Sequence, residues 1–209
     1  MAIYANASSG GGFPPIEAGS YRAICYGIVV EGTFFNQMFG TTSTKIRFLW
    51  ELPDERITVD GEDKPRAISE EYTLSLAERS NLRPMLESWR GKAFTDEELY
   101  GSETTPRFDI ENVLKAPCLI VTTVGVSKKG KEFAKVVSVG KLPKGMVVPK
   151  ETENPTIVFN VCDADCDLAL MEQLPEWIQT RIKDSVEYKE RTTSPDDFVE
   201  VSDEDLPFD

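Results

Sequence analysis

Apolar and polar residues alternate along residues 44–52, and this spacing constrains the fold more than any other feature of the sequence. The alternate apolar positions carry Ile46, Phe48, Trp50 and Leu52, and the polar positions between them carry Lys45, Arg47 and Glu51. A period of two places the two sets on opposite faces of a β-strand. We therefore expect a strand with one face in a core and the other in solvent.

Several other segments are rich in β-branched and aromatic residues, which favours further strands. The first is residues 20–31, where Gly27 would tolerate a bulge or a sharp bend. The remaining strand segments are residues 57–59 and 66–74 around a turn at 60–63, residues 116–126 and 132–142 around a hairpin turn at 127–131, and an edge strand at 156–161.

Helical segments interrupt and follow these strands. Residues 75–89 predict a helix or two short ones, with Gly91 as the stop signal, and residues 95–98 read as a capping box for a short helical turn. Residues 109–114 predict another turn of this kind. Residues 167–190 have a helical pattern that Pro175 interrupts.

The order of these elements predicts a mainly β protein, a β-barrel of the OB-fold type with an inserted helix and a C-terminal helical extension. Another small β-barrel would show much the same pattern. The predicted parts are a flexible N-terminal arm (1–17), the barrel domain (18–150), an extension with a helix (151–193) and a disordered acidic tail (194–209). Apolar residues of the extension could pack on the barrel or against a second copy in a homo-oligomer.

Charge is distributed unevenly along the chain. The net charge is −13, and residues 195–209 hold about half of this excess because they carry seven acids and no base. Residues 115–150 show the opposite bias, with eight lysines and one acid, Glu132. A basic segment of this kind can serve a polyanion, although a solvated lysine-rich hairpin has the same composition.

The absence of histidine argues against hydrolytic chemistry, because it removes the usual general base and the commonest metal ligand. Cys162 and Cys166 lack the further ligands that a zinc site needs. The chain also has no Walker loop and no dinucleotide-binding fingerprint. We therefore predict a protein that is not an enzyme and that has no metal and no cofactor.

The apolar runs are too short to cross a membrane, and residues 1–12 lack the layout of a signal peptide. The four cysteines do not make a disulfide scaffold at this length. These features predict a cytoplasmic protein without membrane contact.

The sequence supplies what a single nucleic-acid strand requires, namely cations for phosphates and aromatic faces for bases. The candidate residues are Phe34, Phe35 and Phe39 in an apolar loop at 32–43, Lys45 and Arg47 on the polar face of the second strand, and Lys128, Lys129, Lys131 and Lys135 in the last hairpin. In an OB-fold these loops flank one groove. Capping the open end of the barrel is the alternative role for the phenylalanines.

The end of the tail combines acids with apolar residues. The predicted partner-binding residues are Asp203, Glu204, Asp205, Leu206, Pro207 and Phe208. An acidic segment of this kind does not collapse on itself, and its apolar residues favour anchoring in the pocket of another protein. A purely solubilising tail would not need the apolar tip.

This tip resembles that of bacterial and phage single-stranded DNA-binding proteins, which typically end Asp-Asp-Ile-Pro-Phe. In that family the tip recruits replication, recombination and repair proteins and can fold back on the DNA groove. The family tip ends on phenylalanine, whereas Asp209 follows Phe208 here.

The body, residues 15–144, resembles phage-encoded OB-fold proteins of replication and recombination. The similarity lies in residues 18–21, 81–83 and 89–92. It implies a phage or prophage origin, a bacterial host cell and a barrel that coats single strands.

These observations predict a single-stranded DNA-binding protein that recruits partner proteins through its tail. One alternative is an acidic DNA mimic that inhibits or adapts a nucleic-acid enzyme, although its charge should then cover the folded body rather than the tail. Another is a carboxylate-metal nuclease, which would need several acids to converge in space.

Overall fold

The computed structural model describes residues 14–127, 130 and 132–193, and a six-stranded sheet dominates it. The strands are β1 (Gly19–Asn36), β2 (Thr41–Val59), β3 (Glu62–Thr73), β4 (Pro117–Val126), β5 (Glu132–Lys141) and β6 (Ile157–Asn160). Their order is β3-β2-β1-β4-β5, and these neighbours are antiparallel. β6 pairs with β1 in the parallel direction.

The helices are short and lie between β3 and β4 or after β6. They are α1 (Leu82–Arg90), α2 (Asp96–Tyr100), α3 (Glu176–Lys183) and α4 (Val186–Thr192), with 3₁₀ turns at Ile110–Val113 and Leu168–Gln173. Three sequence signals are confirmed: α1 ends at Gly91, Thr95 and Glu98 form a capping box, and Pro175 precedes α3. No helix in the described residues is long and apolar enough to span a membrane.

The prediction of a mainly β fold is confirmed. The sheet is not closed into the predicted barrel. Within residues 14–127 and 132–193, no ladder of backbone hydrogen bonds joins the edge strands β3 and β5. At one point the carboxylate of Glu70, on β3, interacts instead with the backbone of Val136, on β5.

The first core lies between the sheet and α1. The predicted apolar face of β2 is confirmed, because Phe48 and Trp50 are fully buried and their rings stack 5.7 Å apart. Leu82, Leu86 and Trp89 of α1 pack into the same core, with the Trp89 ring 6.1 Å from that of Phe48.

The second face of β2 is not the solvent-exposed face that the alternation predicts. Leu49 and Glu51 are buried, and residues of the C-terminal extension cover them. Ile178 and Ile182 of α3 are fully buried in this second core. The carboxylate of Glu51 accepts hydrogen bonds from the backbone N–H groups of Glu153 (3.2 Å) and Asn154 (2.8 Å), which satisfies a charge that burial would otherwise destabilise.

Two glycines of β1 allow the extension to approach closely. The β1–β2 register shifts at Gly27, which confirms the predicted irregularity, and a Cβ there would lie 2.7 Å from Leu49 Cδ1 and 2.9 Å from Ile157 Cγ2. Gly32 has a φ of +105°, and its Cβ would lie 2.4 Å from Ser185 Cβ. Any larger residue would push the extension away from the sheet.

Replacement of Ile182 by alanine should lower the free energy of unfolding by about 2–5 kcal/mol, because it leaves a cavity in the second core. Urea unfolding followed by circular dichroism measures this change. Exposed Lys183 is the matched control, and Lys183→Ala should change the free energy by less than about 0.5 kcal/mol. Equal stabilities for the two variants would show that the extension does not pack on the sheet.

Candidate nucleic-acid interface

The tip of the β1–β2 hairpin presents exposed apolar side chains. β1 and β2 remain paired from Phe34–Ser43 to Asn36–Thr41, so the apolar loop predicted at 32–43 shrinks to residues 37–40. The most exposed apolar residues of the tip are Phe35 (61%), Met38 (84%) and Phe39 (70%). The tip therefore offers aromatic faces to solvent rather than to the core.

Phe34 differs from the other two phenylalanines because it is half-buried beside the extension. The guanidinium carbon of Arg181, on α3, lies 3.7 Å from the centroid of the Phe34 ring. Around them is an open recess of about 750 Å³, which we call the tip recess, lined by Phe34, Phe35, Met38, Lys45 and Arg181 among others. It combines apolar and cationic side chains.

A second depression, the edge groove, has a volume of about 860 Å³ and lies between β3, β5 and α1. Its lining includes Lys45, Tyr72, Arg79 and Lys135. Lys45 lines the edge groove and the tip recess alike. Its Nζ donates a hydrogen bond of 2.9 Å to Thr73 Oγ1. Lys45 therefore borders both depressions.

Two acids also line the edge groove, but both have internal partners. Glu71 accepts from Arg47 at 3.2 Å and from Arg181 at 3.4 Å. Burial raises the pKa of the Glu70 carboxyl, and its interactions with the backbone of Val136 and with Lys135 oppose this change. Lys45 and Lys135, by contrast, have no carboxylate within 4.0 Å in the described part of the chain. The groove lining thus carries three basic side chains, Lys45, Arg79 and Lys135, against these two acids.

Arg47 does not lie on the solvent-exposed face where the alternation places it. Its side chain is 11% exposed and forms salt bridges with Glu31 and Glu71. Arg181 joins this ion cluster through the same two acids. The extension covers this part of β2, so Arg47 is held by internal partners rather than left free for a phosphate.

Glu31 is the most buried member of the ion cluster, with a fully buried side chain. The pKa of its carboxyl is raised to about 7, because burial and the nearby Glu71 carboxyl together outweigh the opposing effect of Arg47. One oxygen, Oε2, is buried without a hydrogen-bond partner among the described residues. We therefore expect Glu31 to change its protonation near neutral pH.

The hairpin predicted from residues 116–126 and 132–142 is confirmed as β4 and β5. In its turn, the Gly130 N–H donates a hydrogen bond of 2.8 Å to the Ser127 carbonyl. Lys135 lies on β5 and is exposed. Lys128, Lys129 and Lys131 lie outside the described residues, as do the predicted partner-binding residues 203–208.

Trp177 and Arg181 are neighbours of the predicted site that the sequence analysis did not identify. They are four residues apart on α3, beside the apolar stripe of Ile178 and Ile182. Trp177 was expected to pack like the other apolar residues of the extension, but it is 54% exposed. The available signal was a bulky aromatic residue and an arginine at i and i+4 on one helix.

The cysteine-containing segment offers no second site. Cys162 Sγ donates to Glu187 Oε1 at 3.2 Å, and Cys166 Sγ accepts from Arg191 at 2.8 Å. Within residues 14–127 and 132–193, no three Cys, Asp or Glu side chains are grouped as metal ligands would be.

Comparisons with known proteins leave the family open. No protein-family model matches the chain, and no curated protein is significantly similar to it. The resemblance to single-stranded DNA-binding proteins therefore stays a prediction.

The raised pKa of Glu31 predicts a specific dependence of stability on pH. Between its usual pKa near 4.5 and its folded value near 7, the folded protein holds more protons than the unfolded chain. The free energy of unfolding should therefore fall as pH rises through this interval. Urea titrations at several pH values should show a shallower fall for Glu31→Gln than for the wild type.

Glu62→Gln is the control for this experiment, because Glu62 is an exposed acid paired with Lys64 and the pKa of its carboxyl is lowered. It should leave the pH dependence between about 4.5 and about 7 unchanged. If Glu31→Gln also left the pH dependence of the free energy of unfolding unchanged, the prediction of a raised pKa for Glu31 would be wrong.

Proposed function

We propose that this protein binds single-stranded DNA with little sequence preference, in phage or prophage replication or recombination within the cytoplasm of a bacterial cell. The observation that carries the proposal is the position of Lys45, at the junction of the tip recess and the edge groove. Lys45 lines the tip recess together with Phe34 and Phe35, and it lines the edge groove together with a second lysine, Lys135 on β5.

The strand order supports an OB-fold type of architecture. β1 pairs with both β2 and β4, and α1 lies between β3 and β4, an order that is compatible with a five-stranded, partly open Greek-key barrel. In such folds the loops after the first and fourth strands flank the ligand groove. The corresponding connections here are the aromatic tip at residues 37–40 and the lysine-bearing turn at residues 127–131.

The chemistry of these residues suits a strand of unspecified sequence. Every base has an aromatic face, so stacking on Phe35 or Phe39 discriminates little between bases. Lysine ammonium groups bind phosphates as point charges and release counterions from the strand. Affinity should therefore fall steeply as the salt concentration rises.

We further propose that the acidic tail recruits proteins of replication or recombination through residues 203–208. The support is its composition, since Leu206, Pro207 and Phe208 follow three acids. Apolar anchors next to charges fit a partner pocket with a basic rim, where the charges accelerate encounter.

Charge reversal at the junction tests the proposed binding surface. Lys45→Glu combined with Lys135→Glu should weaken the binding of labelled oligo-dT about tenfold or more at low salt. Loss of two phosphate contacts should also reduce the slope of log affinity against log salt by about 1.4. Fluorescence polarisation over a series of salt concentrations measures both quantities.

Lys64→Glu is the matched control, since Lys64 is an exposed lysine at the opposite end of the β2–β3 hairpin, where it pairs with Ile57. It should affect binding much less than the double variant. Absence of oligo-dT binding by the wild type at low salt would refute the proposed function. Equal effects of the two reversals would place the binding surface elsewhere.

Deletion of residues 194–209 should tighten oligo-dT binding at low salt. The tail carries seven acids that compete with the strand for the lysines, and salt screens this competition. The difference between full-length and shortened protein should therefore shrink as salt rises. Weaker binding after deletion would mean that the tail does not compete with the strand.

A further inference from the structure

α3 carries a tryptophan whose exposure the packing of the extension does not explain. Trp177 is 54% exposed, whereas Trp50 and Trp89, the other two tryptophans, are buried. The neighbouring Ile178 and Ile182 already fix α3 on the second core. Single exposed apolar side chains are common on protein surfaces, so the neighbours of Trp177 decide what it does.

Arg47 fixes the position of the Trp177 ring. The guanidinium carbon of Arg47 lies 4.7 Å from the ring centroid, in a cation–π contact. Arg47 is itself held by salt bridges to Glu31 and Glu71. The indole therefore has a rigid support on one side while half of its surface remains exposed. A ligand that stacks on it would not have to order the side chain first.

Trp177 is also next to the tip recess. Arg181 lies one helical turn further along α3, on the same side of the helix, and it lines the recess against Phe34. On β2, Arg47 and Lys45 are two residues apart and share a face of the strand. Trp177 and Arg47 thus lie beside Arg181 and Lys45, which line the recess.

We propose that Trp177 is a base-stacking residue, through which the C-terminal extension continues the single-strand surface beyond the tip recess. The inference rests on the proposed function, and it gives the extension a part in binding as well as in packing. Its ligand is a nucleobase of the same strand whose phosphates contact Lys45. A base stacked on the exposed indole extends the bound segment along α3.

Intrinsic tryptophan fluorescence of the full-length protein tests directly whether bases contact Trp177. Saturating oligo-dT should quench the intrinsic tryptophan fluorescence, because the exposed Trp177 contacts the bases. The Trp177→Phe variant should lose this quenching but keep its affinity within a few-fold, since phenylalanine also stacks. Trp177→Ala should weaken binding between about 5-fold and about 150-fold. Polarisation with labelled oligo-dT measures the affinities.

Tyr100→Ala is the matched aromatic control, because Tyr100 is 70% exposed on α2 and lines neither the tip recess nor the edge groove. Its affinity should equal that of the wild type. Binding without quenching, together with an unchanged affinity for Trp177→Ala, would overturn the inference and leave the proposed function intact. Absence of oligo-dT binding by the wild type would overturn both.

Discussion

The structure depends on the burial of both faces of β1. Ile28 faces the first core and the adjacent Val29 faces the second, so one strand holds the two halves of the protein together. One edge of β1 pairs with β2 over most of its length. The other edge is shared, with β4 along residues 19–24 and β6 along residues 27–30. The register shift at Gly27 coincides with this change of partner.

The ion cluster lies where the extension meets the sheet. Its members come from three strands and one helix: Glu31 from β1, Arg47 from β2, Glu71 from β3 and Arg181 from α3. Partly buried ions of this kind contribute little net stability, because desolvation offsets their attraction, but removing one member leaves an uncompensated charge. We therefore expect the cluster to constrain where α3 lies, whereas Ile178 and Ile182 stabilise this position by burying apolar surface in the second core.

Local sequence signals predicted the secondary-structure elements well, but they did not predict which faces of those elements other parts of the chain cover. The alternation in β2, the capping box at Thr95 and the stop at Gly91 act over a few residues, and the structure contains all three. The alternation could not show that a segment more than a hundred residues later covers the second face of β2. Leu49, an apolar residue among the polar positions, was the one local sign of that burial. For this reason the prediction that Arg47 lies on a solvent-exposed face was wrong. Trp177 was not identified as a site residue, because helical periodicity does not reveal which flank of an apolar stripe is exposed.

The open seam between β3 and β5 has a mechanical consequence. Separating any of the paired strands would break a row of backbone hydrogen bonds, whereas no such row joins β3 and β5 in the described residues. The seam is therefore the most compliant line of the sheet, and it runs along the edge groove between Lys45 and Lys135. A change in the width of the groove would break no strand ladder among the described residues, so we expect this width to vary more readily than the spacing of the paired strands.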